Sequence, residues 1–232
     1  MNLGNRTASD LTSVVLDATA AARHEMVEKQ IRRRGVFDPQ VLHAMEEVPR
    51  HEFVPAELQT RAYEDVPLPI GGRQTISQPY IVAAMTAGLR LHPSDRVLEV
   101  GTGCGYQAAI LSRIVATVSS IEVRRELADA AAERLSRLGF SNVRVHCGDG
   151  TLGLADFAPF NAILIAAAAP SIPQPLTSQL AEGGRMILPV GPPDHQQLVL
   201  VTRHGTCFET TRLEPCQFVP LIGRHGWPES LS

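Results

Sequence analysis

The chain has 232 residues, 44% hydrophobic and 19% charged. That is enough for one large α/β domain with a substantial core, and too apolar for global disorder. A formal net charge of −3 without a long basic block advertises no nucleic-acid surface, and no apolar run reaches the ~18 residues of a membrane span.

The N-terminus lacks the basic region and apolar core of a signal peptide, since Asp10, Asp17 and Arg23 interrupt it. The four cysteines, Cys104, Cys147, Cys207 and Cys216, have no CxxC or Cys/His ligand spacing. They predict reduced thiols, no metal site and a cytoplasmic address. None of the eight histidines forms an H-x-x-H or H-E-x-x-H pair, so solvated or core roles are expected for them.

From about residue 11 to 34, Val14, Val15, Ala18, Ala22, Met26, Val27, Gln30 and Ile31 recur at three- and four-residue steps and predict a helix. Arg32-Arg33-Arg34 before Gly35 reads as its cationic C-terminus. Asp38-Pro39 predicts an N-cap and a helix through about Glu47, stopped by Pro49. A short helix is expected near 55–61. The passage VPLPIGGRQTISQPY, residues 66–80, is too broken for a helix and too polar at its end for a buried strand. Ser77 is placed to cap a following helix that runs to about Leu89.

Strand and helix then alternate. Strands are expected at 96–100, 117–122, 143–147, 161–166, 185–190 and 197–203, and helices at 105–115, 124–138 and 173–181. Val, Ile and Leu dominate the first four strands, as in a parallel sheet covered on both faces. The fold class is therefore α/β, doubly wound, with a mostly parallel Rossmann-like sheet. Residues 197–221 hold β-like runs without a helix and are expected to add antiparallel strands at one edge.

The chemistry is concentrated in RVLEVGTGCGYQ, residues 96–107. A glycine-rich turn after the first strand lets a ligand approach the backbone. The spacing is G-x-G-x-G over Gly101, Gly103 and Gly105, preceded by Glu99 inside the strand. That acid would repel a pyrophosphate and suits a cation or hydroxyl and amino donors. Glu122 ends the second strand, where this fold places an acid for ribose hydroxyls. Asp149, in CGDG after the third strand, is a candidate acceptor for an adenine amino group. Three acids at successive strand ends describe a nucleoside without phosphate, and S-adenosylmethionine fits.

EVGTGCGY, followed by IEV and GDG, resembles the cofactor motifs of class I S-adenosylmethionine-dependent methyltransferases. PLPIGGRQTISQPYIVAAM, AAAAP, GGRMILPVG and FVPLIG narrow the resemblance to the protein-L-isoaspartate O-methyltransferases, over about residues 25–224. Their N-terminal helices are similar to MVEKQIRRRGVFDPQVLHAMEEVPRHEFVP. The resemblance implies methyl transfer from S-adenosylmethionine to the free carboxylate of L-isoaspartyl residues in damaged proteins and peptides. The ester re-closes to a succinimide, which hydrolyses in part to normal aspartate.

The resemblance also implies a cofactor site of Glu99, Gly101, Thr102, Gly103, Gly105, Glu122, Asp149 and Gly150, and a helical segment, 25–92, that carries the substrate loop. The cofactor-binding core would span 93–232 and an extension 1–24. Ser77 matches the family's active-site serine and is expected to orient the substrate carboxylate, with Thr75 as a second hydroxyl. A carboxylate is already ionised at neutral pH, so no general base is required. The chain departs from the family pattern at Gly71-Gly72-Arg73, where an aromatic is common, at Asn161 for Asp and at Cys104 for Ser.

Isoaspartyl peptides are the expected partners. Neither nucleic acid nor membrane is expected, and a monomer is, with the N-terminal helix as the surface for any oligomer. The alternatives are a methyltransferase acting on a small molecule or RNA, and a nucleoside-binding module without catalysis. The QTIS loop and absent basic face weigh against RNA, and Ser77 with all three acids weighs against the binding module.

Overall fold

The computed structural model describes residues 18–231, so residues 11–17 of the expected first helix and most of the 1–24 extension lie outside it. Residues 18–26 are helical (α1). The backbone then widens into a π-helical turn, Val27–Ile31, and tightens into a 3-10 turn, Arg32–Arg34. Gly35 ends it in the left-handed region at φ 96°. Helix α2, Pro39–Glu47, starts as expected: the Asp38 carboxylate accepts from the Gln40 and Val41 amides. Two 3-10 turns follow, Arg50–Phe53 and Ala56–Arg61; only the second was foreseen.

The proline- and glycine-rich passage contains a small hairpin. Strands β1, Leu68–Gly71, and β2, Gln74–Ile76, pair antiparallel with Gly71 opposite Gln74. Gly72 and Arg73 form the two-residue tip at φ 56° and 58°, a turn whose twist matches that of the flanking strands. Helix α3, Pro79–Gly88, follows. Its N-cap position falls on Gln78, and no side chain of that residue caps it. Asp65 accepts the Tyr80 amide at 3.2 Å instead, so the expected capping role of Ser77 is not the one the fold uses.

The remaining chain builds one seven-stranded sheet from β3 (Arg96–Val100), β4 (Thr117–Glu122), β5 (Val143–Cys147), β6 (Phe160–Ile165), β7 (Leu180–Val190), β8 (Gln196–His204) and β9 (Cys207–Cys216). Their order is β5-β4-β3-β6-β7-β8-β9, with β3 to β7 parallel and β8 and β9 antiparallel at one edge. Successive strand residues face opposite layers. Val97, Val118, Leu164 and Ile187 join the apolar cluster that includes Met26, Met45 and Phe53. Leu98, Val100, Ile121, Ile163 and Met186 join the other. Edge strand β5 is only half-buried, because no strand lies beyond it.

Helix α4, Tyr106–Ser112, is buried on all sides, and α5, Arg125–Arg137, buries Ala128, Ala131 and Leu135. The N-terminal helices lock to α4 through aromatic rings: Phe53 meets Tyr106 edge-on at 5.4 Å, and the Arg50 guanidinium lies 4.9 Å over the Tyr106 ring. The helix expected at 173–181 shrinks to α6, Gln174–Thr177. Strand β7 takes over at Leu180, which already pairs with Phe160, and an irregularity separates that pair from Ala162–Arg185. Asn161 ties β6 to β3, since its Oδ1 accepts the Arg96 amide at 2.9 Å.

Candidate active site

The strand order reverses between β3 and β6, which start the two halves of the sheet. In open α/β sheets the crevice above such a switch point receives the ligand. Here a cleft of about 900 Å³, counted with its open mouth, lies there. Its floor is the Val100–Cys104 turn, its sides are Glu122, Arg124, Gly150 and Ala166–Ala167, and its far wall is the Phe218–Ile222 segment.

The glycine turn is shaped for close approach. Gly103 stands at φ 53°, and a Cβ there would sit 3.2 Å from Ile70 Cδ1 of the hairpin. At Gly150 a Cβ would meet Val100 Cγ1 at 2.5 Å; a larger residue there forces Val100 to shift. Gly101, Thr102, Gly103 and Gly150 line the cleft. Gly105 does not. It opens α4, where a Cβ would sit 3.1 Å from Leu135 Cδ1.

The three acids have separate placements. Glu122 lines the cleft; its Oε2 accepts the Gly103 amide at 2.9 Å and its Oε1 the Arg124 amide at 3.0 Å. Glu99 lies fully buried beneath the turn and off the cleft lining. Ser120 donates to its Oε2, and Thr102 is 2.5 Å from the Ser120 hydroxyl. Because Ser120 spends its proton on Glu99, Thr102 is the donor to Ser120. The Glu99 Oε1 has no partner, and burial pushes the carboxyl up to about 8.

Asp149 is also off the lining. Its carboxylate accepts from the Thr151 amide at 2.9 Å, the Thr151 hydroxyl at 2.6 Å and the Arg224 amide at 2.8 Å. It thereby clasps the C-terminal segment, which sequence reasoning left without a site role. That segment is further held by Gln196, whose amide accepts from the Phe218 N–H and donates to the Phe218 carbonyl, and by Ala168, which exchanges backbone bonds with Val219 and Leu221. The FVPLIG string was the available signal; its aromatic and its proline forecast a wall only once the long-range pairing is known.

A second cleft opens on the other side of that wall. Thr75, Ser77, Ala166, Phe218 and Val219 line both clefts. Thr75 is exposed and Ser77 half-buried, so both hydroxyls stand at the passage between the two spaces. The small side chain of Ala166 keeps the passage open. The second cleft continues past Gln78 and Tyr80 to Arg34 and Glu214.

A cleft at the switch point, with a strand-end acid and glycine floor and a second cleft joined to it, is that of a class I S-adenosylmethionine-dependent methyltransferase. The family model for protein-L-isoaspartate(D-aspartate) O-methyltransferase matches residues 21–226. A protein-L-isoaspartate O-methyltransferase of Roseiflexus castenholzii is 55% identical over 88% of this chain and 94% of its own. That of Methanoculleus marisnigri is 52% identical over 93% and 98%. Among solved structures, a protein-L-isoaspartate O-methyltransferase superposes with TM-score 0.79 at 30% identity, over 88% of this chain and 67% of that one. A Plasmodium falciparum homologue in complex with S-adenosyl-L-homocysteine gives 0.76 at 25% identity, over 86% and 98%. The chain belongs to the protein-L-isoaspartate O-methyltransferase family.

Proposed function

We propose that, in the isoaspartyl methylation its family carries out, this chain seats S-adenosylmethionine in the first cleft and the isoaspartyl carboxylate in the second, with Ser77 and Thr75 between them. The observation that carries this is the shared wall: two spaces, each lined by different residues, meet at two hydroxyls.

The cofactor's chemistry suits the first cleft. Glu122, on the lining, is an acceptor for ribose hydroxyls, and the buried Glu99, its Oε1 unpartnered, is a carboxyl below the turn that a cationic ligand would draw toward its ionised form. Gly101, Thr102, Gly103 and Gly150 give a floor without side-chain obstruction. Asp149 and Gly105 act one step removed, by holding the C-terminal wall and the start of α4. Once bound, S-adenosylmethionine supplies a methyl carbon on a sulfonium, so that a carboxylate oxygen gains the methyl while the carbon–sulfur bond breaks and sulfur keeps the electron pair.

The chain's own task is alignment, which is worth roughly 7–11 kcal/mol in favourable cases. Ser77 Oγ donates to one carboxylate oxygen and fixes its orientation without the strong charge pairing of a buried arginine, which would quench it. Phe218 and Val219 exclude water from the passage. The carboxylate arrives ionised, so no residue need remove a proton. The substrate is a protein or peptide rather than a nucleic acid: the second cleft offers no free cationic face, since its arginine, Arg34, is paired with Asp65 at 2.7 Å. We assign the chain to the cytoplasm as a monomer, its four free thiols suiting a reducing compartment. Among the described residues no helix is long and apolar enough to cross a membrane.

The test is transfer of labelled methyl to an isoaspartyl peptide, set against its aspartyl twin. Base-labile label on the isoaspartyl peptide alone is expected. In Ser77→Ala, turnover falls about tenfold or more while affinity for S-adenosylhomocysteine stays within about twofold. Collapse of both together would reject the assignment of Ser77.

A further inference from the structure

The far end of the second cleft carries charge that the methyl transfer does not use. We propose that Glu214 is a specificity residue, which selects isoaspartyl peptides bearing a cationic side chain on one flank of the damaged residue and disfavours acidic ones. This rests on the assignment of the second cleft to the peptide.

Arg34 and Glu214 are the two charged residues on the lining of this cleft, and their states differ. The Arg34 guanidinium donates to Asp65 Oδ2 at 2.7 Å and lies 3.3 Å over the Tyr80 ring. Its charge is answered by a carboxylate and its face by an aromatic. Glu214, at the end of β9, meets only the Tyr80 hydroxyl, 3.1 Å from each carboxylate oxygen, among the described residues. Burial and the adjacent Glu214 carboxylate push the Tyr80 phenol up, so it stays neutral and cancels no charge. The cleft therefore ends in one unanswered negative group on a half-buried residue, fixed in place by a hydrogen bond.

The fixing matters. Asp65 accepts the Tyr80 amide as well as the Arg34 guanidinium, so Arg34, Asp65 and the start of α3 form one unit, and Tyr80 extends it to Glu214. The carboxylate is thus held at a set place relative to Ser77, which lies three residues before Tyr80. A lysine or arginine of the substrate placed beyond the isoaspartyl residue gains a partner there; a glutamate meets repulsion. The pair is partly solvated, so the gain is modest and falls with salt.

The test uses isoaspartyl peptides with lysine, glutamine or glutamate at the second position before or after the isoaspartyl residue. On one flank, the wild-type chain is expected to favour lysine over glutamate by about five- to tenfold in kcat/KM, expressed mainly in KM. The ratio shrinks between about 50 mM and about 500 mM salt. Glu214→Gln, which keeps an acceptor for Tyr80 but removes the charge, brings the ratio to within about twofold. Tyr80→Phe, which keeps the charge, retains a lysine preference. A ratio that persists in Glu214→Gln overturns the proposal, as does a wild-type chain without preference on either flank. Failure of the wild type to methylate any of these peptides overturns the peptide-cleft reading itself, and the proposal with it.

Discussion

Ser120 donates its hydroxyl proton to Glu99, a carboxyl buried under the glycine turn with its other oxygen unpartnered. The acid of the glycine-rich motif thus lies below the cleft, joined to it through Ser120 and Thr102, while Glu122 lines the cleft itself.

Stability should therefore depend on pH through Glu99. Its carboxyl, ordinarily near 4.5, is pushed up to about 8 by burial. Below 4.5 both folded and unfolded chains hold the proton, and the group is neutral to stability. Between 4.5 and about 8 the unfolded chain releases it first, so stability falls as pH rises and levels off above the folded value. At ~1.4 kcal/mol per pH unit the loss is on the order of a few kcal/mol. Glu99→Gln should reduce the drop in Tm between pH 5 and pH 8, as measured by calorimetry; an unaltered drop would show that Glu99 does not carry it.

Glu122 holds the Gly103 amide and lines the cleft assigned to the cofactor, so Glu122→Ala should lose cofactor affinity by about 10- to 100-fold, the scale of hydrogen bonds to a charged group. Titration calorimetry with S-adenosylhomocysteine reads this directly. Unchanged affinity would remove Glu122 from the site.

Asp149→Ala releases three hydrogen bonds and the clasp on the chain at Arg224. Faster amide exchange over residues 221–227 is expected, together with weaker cofactor binding because the Phe218–Ile222 wall loosens. Weak binding without faster exchange would instead indicate a direct contact with the ligand.

Gly150→Ala brings a methyl to 2.5 Å from Val100 Cγ1, an overpacking that costs about 1–3 kcal/mol. In the double variant with Val100→Ala, the two losses should add to less than their sum, by about 1 kcal/mol or more in a denaturant cycle. Strict additivity would show that the backbone, not Val100, bears the clash.

The sequence by itself determined the layers of this protein. Runs of Val, Ile and Leu marked the strands from Arg96 to Ile165 within a residue or so, because a sheet covered on both faces buries successive residues in opposite apolar layers. The G-x-G-x-G turn and the acid at 122 marked the edge of the sheet where the cleft opens, at the switch point. The hairpin at Leu68–Ile76 was hidden, since a two-residue turn of Gly72 and Arg73 needs a left-handed arginine that its local preference does not favour. The tertiary structure alone decided the rest. Local propensity offered Ser77 to the helix as a cap, but Asp65, fifteen residues before Tyr80, took the amide and left the hydroxyl at the passage between two clefts. Likewise Asp149 turned to Arg224 and Tyr80 to Glu214, partners 75 and 134 residues away. Contacts at that separation depend on how the whole sheet brings its loops together, and no short stretch of sequence carries that information.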